Sequence, residues 1–65
     1  MIAAYATDHG LSKDDNKYII GVYNQDTNVH LFLFRIENCT RVTQIVRDFV
    51  ETESNKLGYN IVEWR

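Results

Sequence analysis

From Asn28 to Ile36 the chain reads NVHLFLFRI, and a strand built from it has no polar face. Side chains alternate across a strand, so Val29, Leu31 and Leu33 point one way and Phe32, Phe34 and Ile36 the other. Just upstream, Lys17 to Asn24 (KYIIGVYN) is rich in β-branched and aromatic residues, and the turn-forming cluster NQDTN separates the two runs. The pair predicts a β-hairpin. With Asn24 opposite Val29, Val22 faces Leu31, Gly21 faces Phe32 and Ile20 faces Leu33. One side of the ladder is then aliphatic, with Val29, Leu31 and Leu33 as the expected core face beneath a helix, and the other carries Ile19, Tyr23, His30, Phe32 and Phe34. A slip of one residue exchanges these groupings.

The remaining elements follow from periodicity. Ile2 to Ala6 predicts a short strand whose alanines suit a position beneath a packed helix, and the polar stretch TDHGLSKDDN, Thr7 to Asn16, predicts a loop. Val42, Ile45, Val46, Phe49 and Val50 recur at the spacing of an amphipathic helix, with Asn38 as the expected N-cap. Arg41, Gln44, Arg47, Asp48, Glu51 and Thr52 take the opposite face, and Arg47 with Glu51 makes an i,i+4 pair. Gly58 after Leu57 predicts the helix stop, and YNIVEW, Tyr59 to Trp64, a closing strand. The order is strand, strand, strand, helix, strand. This predicts an α+β fold: an antiparallel sheet of three or four strands with the helix on one face. A right-handed return makes the sheet mixed, with the last strand parallel to the first and the spatial order 3-2-1-4.

Sixty-five residues make a single compact domain, residues 1–65, which buries only about 60% of the surface its unfolded chain exposes. A face of large apolar side chains left to solvent therefore needs a reason. The net charge of −2 comes from nine acids and seven bases with no block of either sign, which disfavours an electrostatically led duplex-DNA binder. One cysteine, Cys39, excludes an intrachain disulfide and fits a reducing compartment. MIAAYATDHG has neither a basic start nor a long apolar run, so the expected location is cytoplasmic, with no membrane partner.

Catalytic constellations are sparse. Asp8, His9, Asp14 and Asp15 share one segment but match no metal-binding spacing, so no metal and no cofactor are expected. The same element order opens the ribonuclease H fold, in which an acid ending the first strand helps to hold magnesium. Asp8 stands at such a place; the resemblance is one of connectivity alone, and the candidates for the further acids are Asp48, well inside the helix, and Glu63, inside the last strand, which leaves a reduced metal-dependent hydrolase as a third reading. Cys39 has only His9 and His30 as candidate bases, and a structural thiol is the simpler account. Three glycines make no phosphate loop.

The expected function is therefore binding. The sequence predicts a small non-enzymatic interaction protein of the regulator or inhibitor type, of a size that viruses and mobile elements encode. Its partner is another protein, a second copy, or both. The expected contact residues are Tyr23, His30, Phe32, Phe34, Arg35 and Ile36, on an uncovered sheet face or at an open sheet edge. Arg41, Arg47 and Glu51 on the helix form a second surface. The alternative is a single-stranded nucleic-acid module that stacks bases on the same aromatics, disfavoured by the acidic total and the lack of a basic groove.

Overall fold

In the computed structural model, which describes residues 1–65, the chain forms β1 (Ile2–Leu11), β2 (Tyr18–Asn24), β3 (His30–Ile36), α1 (Gln44–Lys56) and β4 (Tyr59–Trp64). The four strands make one mixed sheet in the order β3-β2-β1-β4, with β4 parallel to β1 and the other pairs antiparallel. This is the α+β arrangement expected from the order of elements. The helix lies on one face, where Val50 packs with Ala4, Ala6, Tyr18, Ile20, Val22 and Ile61 in the buried core. Ala4 and Ala6 are fully buried, and their small side chains leave room for Phe32 to reach Tyr59 across the sheet, with ring centroids 5.5 Å apart.

The hairpin register differs from the expected one by one residue. The Asn24 N–H donates to Val29 O at 2.9 Å, so the expected anchor forms. Tyr23 then pairs with His30 but Val22 pairs with Phe32, leaving Leu31 as the extra residue of a β-bulge. From there Ile20 faces Phe34 and Gly21 faces Leu33. Phe32, Phe34 and Ile36 therefore lie on the helix side, and the expectation of an uncovered phenylalanine face is corrected: that face is the covered one. Two phenylalanines bring more apolar area to the core than two leucines would, at roughly 25 cal/mol per Å². Phe34 meets Phe49 of the helix edge-on, with ring centroids 5.9 Å apart. Val29 and Leu33, expected in the core, are exposed, while Leu31 at the bulge still packs against it.

Two boundaries also move. β1 continues through the polar segment to Leu11, because a bulge between Asp8 and Gly10 lets that segment stay paired with β2. Gly10 supplies a φ of +79° and donates its N–H to Asp8 Oδ1 at 2.9 Å. The helix begins at Gln44 and not after Asn38, which sits in a turn with φ +56°. Thr43 is the N-cap, its Oγ1 accepting from the Val46 N–H at 3.3 Å. The stop is where the sequence places it, at Leu57 followed by Gly58 with φ +93°.

Candidate functional site

The late start of α1 changes which part of its apolar stripe is buried. Val46 is half-buried, Val50 and Ser54 are fully buried one and two turns later, and the flank formed by Ile45 and Phe49 is left open. Ile45 is 81% exposed and Phe49 50% exposed. Together with Ile36 at the end of β3 and Val46 they line a wholly apolar slot of about 220 Å³. A shallow hollow of about 270 Å³ under the loop carrying Glu37 to Arg41 shares Ile36 and Val46 with it. β3 is an edge strand, so its outer row of backbone N–H and C=O groups has no neighbouring strand. The edge thus has the slot on one side and Leu33, 43% exposed, on the other.

The face away from the helix carries a polar aromatic strip that crosses the strands. The Arg65 guanidinium lies 3.7 Å over the Tyr5 ring, Tyr5 stacks on Tyr23 at 5.1 Å and 13°, and His30 tilts against Tyr23 at 5.1 Å. His9, the extra residue of the β1 bulge, lies across the same face with Nε2 2.9 Å from the Tyr23 hydroxyl. It lies there because Gly21 beneath has no side chain: a Cβ at that position falls 2.7 Å from His9 Nε2 and 2.9 Å from Tyr23 Cε1. Tyr5 and Tyr23 use one another's faces, Arg65 takes a face of Tyr5, and His9 and His30 tilt against Tyr23 at 59° and 60°.

The charged groups around these surfaces are mostly paired within the chain. Arg35 Nη1 donates to Asp15 Oδ2 at 2.9 Å, and Lys17 lies 3.6 Å from Glu37. Desolvation acts to raise the Asp15 carboxyl, but the Lys17 N–H, the Ser12 hydroxyl and the charges of Arg35 and Lys17 outweigh it and hold the group below its ordinary range. Arg65 Nε donates to Glu63 at 2.6 Å, and that hydrogen bond raises the guanidinium further.

The residues singled out from the sequence divide between the two surfaces. Tyr23, His30 and Arg35 belong to the face away from the helix, while Phe32, Phe34 and Ile36 line its covered side, half-buried, with Ile36 reaching the slot. Arg41 and Arg47 are exposed and Glu51 is half-buried. Arg47 turns to the Trp64 ring, 5.4 Å from its centroid, and does not pair with Glu51. Sequence reasoning missed Leu33, Ile45 and Phe49 as surface residues, and Tyr5, His9 and Arg65 as members of the strip. Gly21 inside a strand was the available signal for the strip, because a lone strand glycine marks a bulge or a close approach.

The acids do not converge. Asp8 Oδ2 accepts from the Tyr18 hydroxyl at 2.7 Å, Asp48 accepts from Gln44 on its own helix, and Glu63 holds Arg65. No three His, Cys, Asp or Glu side chains come together where a cation could bind. The Cys39 thiol, half-buried, donates to Arg41 O at 3.0 Å and packs against the core. No helix is long and apolar enough to cross a membrane. No family model matches the chain, and no curated protein or solved structure matches it either.

Proposed function

We propose that this chain is a non-enzymatic interaction protein of the regulator or inhibitor type, which binds another polypeptide along the open edge of β3. The observation that carries the reading is the juxtaposition at that edge: an unpaired strand flanked by Leu33 on one side and by the Ile36, Ile45, Val46 and Phe49 slot on the other. A partner strand added there gains main-chain hydrogen bonds from the ladder, and an apolar side chain in the slot adds specificity. The large exposed side chains supply the apolar centre of such an interface, and Arg35, Glu37 and Arg41 its polar rim.

The test is affinity capture from the source cell with wild type and with Leu33→Lys plus Ile45→Glu. Both substitutions fall on exposed positions, so the fold should persist, as circular dichroism can check. Capture of a discrete protein that the double variant loses is the expected result. Equal capture by both forms overturns the assignment to this edge.

A further inference from the structure

We infer that the occupant of the β3 edge is a second copy of this chain, paired antiparallel through residues 32–36 about a two-fold axis at Phe34; this rests on the interaction reading above. The two edges of the sheet are treated differently. β4 is blunted by a bulge at Val62, by Glu63, and by Arg65 directly after it. β3 beyond its own bulge has no proline, no lysine and one charge, Arg35, already tied to Asp15 of the same chain. Unprotected apolar edges of this kind template pairing with another strand.

The straight part of β3 is self-complementary. With Leu31 displaced in the bulge, residues 32–36 remain in regular pairing, and their midpoint is Phe34. Antiparallel pairing about that residue sets Phe34 against the second copy's Phe34, Phe32 against its Ile36 and Leu33 against its Arg35. The helix side then receives aromatic and aliphatic cross-strand pairs, which stabilise a sheet. No charge faces its like, whereas parallel pairing in register stacks Arg35 on Arg35. Phe34 touches Phe49, and Phe49 and Ile45 overhang beside it, so both overhangs approach the axis and cover each other. An isologous contact of this form closes at two copies and extends the sheet from four strands to eight. A standard interface takes about 800 Å² per partner, under a fifth of the 4324 Å² exposed here.

Sedimentation equilibrium over a dilution series tests the stoichiometry, and cysteine pairing tests the register. The wild type should sediment as a dimer that dissociates on dilution, and Ile45→Glu should raise its dissociation constant about tenfold or more. In a Cys39→Ser background, Leu33→Cys chains mixed with Arg35→Cys chains should form a mixed disulfide under mild oxidation. Neither alone should do so efficiently, because the axis at Phe34 sets identical positions diagonally apart. A wild type that stays monomeric at every concentration overturns the second copy. If cell capture still depends on Leu33 and Ile45 in that case, the interaction reading survives it. A dimer that Ile45→Glu leaves intact, or that crosslinks without the mixed pair, overturns the β3 geometry.

Discussion

The Tyr18 phenol donates to Asp8 Oδ2 at 2.7 Å from a buried position on the helix side of the sheet. That hydrogen bond, with desolvation and the Asp8 charge behind it, pushes the phenol up to about 12 from its ordinary 10.0. Because the folded value lies above the unfolded one, the stability this group contributes is complete below pH 10.0 and is lost as pH rises towards 12. An ultraviolet phenolate titration should show one tyrosine ionising near 12, and Asp8→Asn should return it towards 10.0. A titration unchanged by Asp8→Asn would place the cause elsewhere. Asp8 thus has a local structural role, since its other oxygen accepts from Gly10 and holds the bulge that lays His9 across the opposite face. None of this was legible from Asp8 and His9 as neighbours in a polar segment, because it takes β2 to supply Tyr18, Gly21 and Tyr23.

At the scale of elements, β4 and the end of α1 lie where turn chemistry and periodicity put them, and the start of α1 does not. Asn38 and Thr43 are both acceptable N-caps by type, and the choice between them falls to the loop that brings Val42 and Cys39 against the core. The consequence reaches the site, because Ile45 comes to lie in the first helical turn on an open flank. Further along the helix, Ser54 is fully buried and its Oγ has no hydrogen-bond partner. A buried unpaired hydroxyl costs about 1–3 kcal/mol, and alanine is also the better helix former by about 0.5 kcal/mol. Ser54→Ala should therefore raise stability by about 1 kcal/mol or more in urea denaturation. A clear loss of stability instead would mean that the hydroxyl is satisfied.

For the molecule as a whole, ten of 65 residues are buried, so few side chains hold the fold and a single core truncation takes a large share of its stability. Ile20→Ala, at a fully buried position between β1 and β3, should cost about 2–5 kcal/mol, comparable with the entire stability of a domain this small. Ile45→Glu should change the monomer's stability by no more than about 0.5 kcal/mol, since Ile45 already faces solvent. Denaturant midpoints measured at concentrations low enough to dissociate any complex separate the two effects. An Ile45 variant that unfolds under those conditions would make Ile45 part of the core, and the slot would lose its standing as a contact surface.

The alternation of apolar residues, the helical stripe and the turn clusters determined the number, kind and order of the elements, and from these the sheet order followed. The periods of 2 and 3.6 are local properties that each segment carries by itself. The face that each residue of β3 presents was decided only in the tertiary structure. NVHLFLFRI is apolar on both sides, so its own pattern does not choose a register, and one bulge at Leu31 reverses every side chain after it. Packing chose the register that puts Phe32 and Phe34 against Tyr59 and Phe49, and left Leu33 and the open edge outside.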